Sequence, residues 1–147
     1  VPEPGPDHLV PIGVADIKRA GGDVTIVATS RMVLFALQAA EELAAEGIDA
    51  EVIDPRTLKP LDLPAIIRSV EKTGRLVVVN EGALTGGFTA EVAARVQREA
   101  FDWLDAPVMQ VAAEDVPLPY NGRLELAALP SVEKIIAAAK AALYWDR

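Results

Sequence analysis

The 147-residue chain contains no cysteine and a single histidine, His8. Without cysteine there is no disulfide, no thiolate nucleophile and no cysteine-based metal site. With one histidine a zinc site lacks its usual ligands, and Ser30 and Ser69 have no imidazole to serve as base, which excludes serine-hydrolase chemistry. His8 itself lies in a proline-rich stretch that offers neither a fixed orientation nor a second group to hold the ring, so it is read as surface decoration. Basic residues are scarce as well: 14 Lys and Arg stand against 22 Asp and Glu, a formal net charge of −8. A surface of that sign repels phosphate backbones and argues against nucleic-acid binding. It attracts a basic partner, or it only keeps the protein in solution. No apolar run approaches the ~20 residues needed to span a bilayer, so no membrane partner is expected.

What remains is an ordinary globular composition, 51% hydrophobic and 24% charged, of a length typical of one domain. Val1 to Pro11 holds four prolines and one glycine and reads as an extended linker arriving from elsewhere, with the domain proper over residues 12–147. A first residue that is valine leads us to expect a fragment or a processed product. The same segment lacks the basic patch and apolar stretch of a signal peptide, and together with the missing cysteines this gives a cytoplasmic expectation.

Beyond Gly21-Gly22, strand and helix patterns alternate. Val24–Ser30 is short, β-branched and nearly continuous in apolar character, as a strand covered on both faces should be. Met32–Glu46 places Val33, Leu37, Ala40 and Leu43-Ala44 at helical spacing, with Glu41, Glu42 and Glu46 turned outward and Gly47 at the stop. Further strands are predicted at Ala50–Asp54, Arg75–Glu81 and Pro107–Ala113. Helices are predicted over Leu63–Lys72 behind an Asp62 cap, over Thr89–Ala100, and from a Ser131 cap to Leu143. Val116–Tyr120 is expected to be a loop. The alternation implies right-handed crossovers and a three-layer α/β/α fold around a mostly parallel sheet. In such sheets the loops at the strands' carboxyl ends, here starting at Ser30, Asp54, Glu81 and Ala113, are the usual place for a ligand or partner.

Two features at that edge invite chemistry. Gly82-Ala-Leu-Thr-Gly-Gly87 joins a strand to a helix, where bare amides can cradle a phosphate. It matches neither the dinucleotide nor the P-loop glycine pattern, and a turn with positive φ angles explains Gly86 and Gly87 equally well. Asp54 and Glu81, both at strand ends, are expected to be neighbours, and paired carboxylates can divide acid and base roles. The alternative is that each caps a helix start or pairs with Arg56 or Lys59. No histidine, serine or metal cluster completes a catalytic set, so no catalytic, cofactor or metal residue is assigned. An assembly or binding domain is the expectation.

Several blocks are recognisable. Val10–Gly21, Glu51–Asp62, Asn80–Glu91, Phe101–Pro107, Asp115–Tyr120 and Leu129–Glu133 resemble, in order and spacing, the last domain of the E1 beta subunits of thiamine-diphosphate-dependent 2-oxo acid dehydrogenases, the group that includes pyruvate, branched-chain 2-oxo acid and acetoin dehydrogenases. The resemblance implies a transketolase C-terminal-like domain whose sheet carries one antiparallel strand. It implies a parent enzyme that oxidatively decarboxylates a 2-oxo acid and passes the acyl group to lipoamide. The parent's thiamine diphosphate and magnesium would be held by domains that precede this region; the family's Gly-Asp-Gly diphosphate motif is absent here, and the domain alone is expected to be inactive. The implied partners are E1 alpha and beta subunits and the basic peripheral subunit-binding domain of the E2 acyltransferase. Asp105 of the Leu-Asp-Ala-Pro block, and the chain end at Arg147, stand where relatives touch that acyltransferase. Pro55, Asn80 and Thr89 depart from common family residues, and the tail Tyr144–Arg147 is idiosyncratic. A homodimer of the isolated domain is also expected, and two rival readings are a stand-alone doubly wound domain binding a phosphate-containing molecule at Gly82–Gly87 and an orphan dimerising domain.

Overall fold

The computed structural model describes Gly5 and residues 9–144; His8, Arg147 and most of the proline-rich segment lie outside the described residues. Five strands form one sheet: β1 (Asp16–Arg19), β2 (Val24–Ala28), β3 (Ala50–Asp54), β4 (Leu76–Ala83) and β5 (Met109–Ala113). Their spatial order is β1-β3-β2-β4-β5. β2, β3, β4 and β5 pair in parallel, and β1 alone runs antiparallel, against β3. The helices are α1 (Met32–Ala45), α2 (Leu63–Thr73), α3 (Phe88–Ala100), α4 (Gly122–Ala128) and α5 (Val132–Leu143), with a single 3-10 turn at Phe101–Trp103.

The strands are apolar on both sides because each face has its own cover. Alternate residues separate cleanly: Val24, Ile26, Val52, Val77 and Val79 pack with α1 and α5, whereas Val27, Ile53, Leu76 and Val78 pack with α2 and α3. This is the period-two consequence of a pleated strand. The expected stops and caps are in place. Gly47 and Gly74 take φ angles of 87° and 69°, where a Cβ is unfavourable. The Asp62 carboxylate accepts from the Ala65 amide at 3.1 Å, and the Ser131 hydroxyl accepts from Lys134 N at 3.2 Å.

Asp62 has a second task. Its other carboxylate oxygen accepts from Ala15 N at 2.9 Å, while Gly13 N donates to the Thr57 hydroxyl at 3.1 Å. The incoming chain is thereby fixed to the loop between β3 and α2 before it enters β1. Neither β1 nor α4 is predicted above as a particular element. β1 is a four-residue strand, Asp-Ile-Lys-Arg, with three charged side chains and no apolar alternation; its partner β3 selects it. α4 is seven residues long and capped by Asn121, whose side chain accepts from Arg123 N and Leu124 N, within the stretch following the predicted loop.

One carboxylate lies inside the fold. Glu51 on β3 is 2% exposed and points toward α2, where it accepts from the Ser69 hydroxyl at 2.5 Å and pairs with the Lys72 ammonium. Ser69 is linked onward to Thr25 at 2.6 Å, and Thr25 to Thr73 at 2.7 Å. Burial works to raise the Glu51 pKa, but the Lys72 ammonium, the Ser69 hydroxyl and the Gly21 amide outweigh it and hold the carboxyl below its usual range. A depressed folded-state value stabilises the fold above the unfolded glutamate pKa, and that contribution is lost as pH falls through the folded value. Glu51→Gln should therefore cost about 1–3 kcal/mol at neutral pH by urea denaturation. The deficit relative to the native chain should shrink as pH drops below ~4.

Candidate functional site

At the carboxyl ends of β2, β3 and β4 a crevice of about 260 Å³ is lined by Thr29, Ser30, Asp54, Pro55, Arg56 and Asn80, with Leu58 beside them. Ser30 and Arg56 hold left-handed φ angles of 56° and 57°, conformations that cost of order 1 kcal/mol for a residue with a Cβ. The polar groups here close on one another. Asp54 Oδ1 accepts from the Arg56 amide at 2.8 Å, and the Arg56 guanidinium reaches Asp16 at 2.8 Å. Asn80 Nδ2 donates to the Thr29 hydroxyl at 2.6 Å and Asn80 Oδ1 accepts from Gly82 N at 2.7 Å. The expected pairing of Asp54 with Glu81 does not form across adjacent strands. β3 and β4 flank β2 on opposite sides, and the residue that β4 presents to the crevice is Asn80 rather than Glu81.

The glycine-rich turn is also accounted for within the chain. Gly86 has a φ of 68°. Gly87 caps α3, and a Cβ there would lie 2.1 Å from the Ala83 carbonyl oxygen. Asp115, from the segment after β5, accepts from Thr85 N at 3.1 Å and from the Thr85 hydroxyl at 2.6 Å. These bonds, the side-chain one foremost, hold the Asp115 carboxyl below its usual range. A carboxylate bound to the turn's own amide opposes an incoming phosphate by charge. Among the described residues no group of three or more His, Cys, Asp or Glu is arranged to hold a metal ion. The donor set at this edge therefore does not fit a magnesium-bound diphosphate.

The opposite edge, at the strands' amino ends, differs in character. Asp105 precedes β5, and its amide donates to the Gly74 carbonyl at 2.8 Å. Its carboxylate lies over Gly74, where a Cβ would come within 2.5 Å of Oδ2, and faces Arg75 Nη2 at 3.4 Å. The side chain is still 62% exposed. Phe101 and Trp103 on the 3-10 turn are 63% and 54% exposed, and Phe101 and Asp105 line one groove of about 450 Å³ that runs to Val108 and Gln110. An oriented carboxylate beside exposed aromatic surface suits a cationic protein partner. The sequence reading missed these two aromatics. Their signal was that Phe101 and Trp103 fall just beyond Ala100, where the buried face of α3 ends. Asp105 thus lies at the far end of the sheet from Asp54, Glu81, Gly86 and Gly87.

The family described as "Transketolase, C-terminal domain" matches residues 13–135. The chain is 49% identical over 138 residues to "Pyruvate dehydrogenase E1 component subunit beta" of Rhizobium meliloti (strain 1021), covering 94% of this chain and 30% of the relative. It is 55% identical over 135 residues to "Pyruvate dehydrogenase E1 component subunit beta-1, mitochondrial" of Arabidopsis thaliana, covering 92% of this chain and 37% of the relative. The chain thus spans about a third of the length of these curated relatives. Among solved structures, "Split gene transketolase, inactive beta4 tetramer" superposes with a TM-score of 0.82 at 34% identity, over 100% of this chain and 47% of that one. A 2-oxoglutarate:ferredoxin oxidoreductase from Magnetococcus marinus superposes at 0.58 with 14% identity, over 88% of this chain and 19% of that one, a likeness of fold alone.

The glycine turn yields a test. Gly87→Ala should destabilise the chain by about 1–3 kcal/mol in thermal or urea unfolding, because the Ala83 carbonyl must move to admit the methyl group. Asp115→Ala should loosen the turn and speed amide exchange at Thr85.

Proposed function

Because the chain belongs to the transketolase C-terminal domain family, we propose that it is the carboxyl-terminal domain of a 2-oxo acid dehydrogenase E1 beta subunit, an assembly and partner-docking unit with no catalytic set of its own. The observation that carries this reading is the 49% and 55% identity over more than nine-tenths of the chain to two pyruvate dehydrogenase E1 beta subunits, each about three times longer. Thiamine diphosphate and magnesium belong, in this proposal, to parts of the parent beyond residues 1–147. This chain's own contribution is surface. It meets E1 alpha and beta subunits, and it self-associates when alone, a behaviour for which the tetramer named for the split-gene transketolase is support. The location is proposed to be cytoplasmic, on the absence of cysteine and the acidic surface.

Asp105 is the proposed contact for the basic peripheral subunit-binding domain of an E2 acyltransferase. The Gly74 carbonyl fixes its backbone and Arg75 approaches from one side, which leaves carboxylate surface for a partner's arginine or lysine. Charge-assisted hydrogen bonds of this kind contribute about 1.5–3 kcal/mol. Titration calorimetry of the chain against a cognate acyltransferase binding domain should show binding that weakens with salt. Asp105→Asn should lower the affinity about tenfold or more. No binding by the native chain, under conditions where the intact dehydrogenase binds, would end the docking reading.

A further inference from the structure

The sequence holds two asparagines, Asn80 and Asn121, and the fold treats them differently. Asn80 lies in β4 with both ends of its side chain engaged: Nδ2 donates to the Thr29 hydroxyl and Oδ1 accepts from Gly82 N. The residue that follows it is Glu81. Asn121 is exposed and is followed by Gly122. An asparagine amide carbon is an electrophile for the nitrogen of the next residue, and glycine, with no Cβ, hinders that nitrogen least. A Cβ at Gly122 would meet nothing within 4 Å, and its φ is not positive. Neither packing nor backbone conformation calls for glycine there.

In the folded chain the reacting pair is held apart. Asn121 caps α4, its Oδ1 accepting from Arg123 N at 3.0 Å and from Leu124 N at 3.4 Å. Its ψ of 121° turns the Gly122 nitrogen well away from Cβ, whereas closing a five-membered ring needs the two nearly eclipsed. Attack therefore requires the cap to let go. The carboxyl end of α4 is anchored: Ala128 is buried, its carbonyl accepts from Glu114 N at 2.9 Å, and Lys134 Nζ donates to the Ala127 and Leu129 carbonyls. The amino end has no such anchorage in burial, since residues 120–124 are all exposed. Seven residues are too few to hold a helix by themselves, so α4 opens from its capped end.

We propose that Asn121 is a site of spontaneous modification, at which the Gly122 nitrogen attacks the side-chain amide carbon when the amino end of α4 frays. The Gly122 N–H gives its proton to solvent base, a bond forms from that nitrogen to Cγ, and the Cγ–Nδ2 bond breaks to release ammonia. Water then opens the cyclic imide at one of its two carbonyls. Opening at Cγ leaves aspartate, which still caps α4 and adds negative charge where a helix favours it. Opening at the main-chain carbonyl leaves isoaspartate; the backbone then runs through Cβ and the cap register is lost. The affected segment carries Val116, Leu118, Tyr120, Leu124 and Leu126, all exposed, so the second product rearranges apolar surface as well as a helix.

Peptide mapping by mass spectrometry of the full 147-residue chain, held in mildly alkaline buffer at physiological temperature, tests it. Aspartate and isoaspartate should accumulate at Asn121 while Asn80 stays intact. Isoaspartyl methyltransferase should label the same peptide. Gly122→Ala should slow the conversion about tenfold or more, because the methyl group hinders the nitrogen and favours the helix. Leu126→Gly leaves the reacting pair untouched and weakens α4, and should speed the conversion about threefold. A peptide of residues 115–129, too short to keep the helix, should react faster than the folded chain. No conversion at Asn121, equal conversion at Asn80, or a folded chain that reacts as fast as the peptide would overturn the proposal. A rate unchanged by Gly122→Ala or by Leu126→Gly would do the same. The reaction needs only this chain and water, so its outcome is independent of acyltransferase docking.

Discussion

A parallel sheet leaves neither of its faces for water, and that requirement organises this protein. Each of β2, β3 and β4 must supply two apolar sets on alternating residues, one for α1 and α5 and one for α2 and α3. The crossovers that connect parallel strands deliver those helices to the two sides. Between β2, β3 and α2 the buried polar side chains form one connected set. Thr25, Glu51, Ser69 and Thr73 are joined by a chain of hydrogen bonds that reaches the Lys72 ammonium. Where a carboxylate is kept in such surroundings, its partners have to outweigh its desolvation, and here they do.

The same covering requirement decides where interaction can occur. With both faces occupied, the sheet itself meets solvent only at its two strand-end edges and its two lateral strands. Several polar groups of the carboxyl-end edge pair within the chain: Asn80 with Thr29, Arg56 with Asp16, and Thr85 with Asp115. The amino-end edge keeps a partly solvated carboxylate at Asp105 beside two uncovered aromatics. The lateral strands divide in the same way, β1 guarded by charge and β5 bare.

Much of this architecture could be read from residue order. The four parallel strands are apolar runs bounded by Gly22, Gly74 and Pro107, and three of the four long helices carry caps or stops at Asp62, Ser131 and Gly47. β1 and α4 were not legible as elements. Asp-Ile-Lys-Arg has no alternation and becomes a strand only because β3 offers an edge, and a seven-residue helix carries too few turns for periodicity to show. Asp54 was legible as a strand-end residue, whereas β4 runs two residues past Glu81 to Ala83, taking in the first two residues of the expected turn; the separation of the two carboxylates was not legible, since strand order across a sheet is a property of crossovers rather than of any local pattern. Asp105 entered through resemblance to a family. Its setting, with Gly74 beneath it and Arg75 beside it, is tertiary and has no sequence signature.

Asp62 has a consequence for mechanics. One carboxylate oxygen caps α2 and the other grips the amide of Ala15, with Thr57 holding Gly13 nearby. Polypeptide approaching β1 is thus clamped to the start of a core helix one residue before the strand begins. Such a junction fixes the direction in which residues 13–15 enter the sheet, so the edge strand and the start of α2 move as one piece.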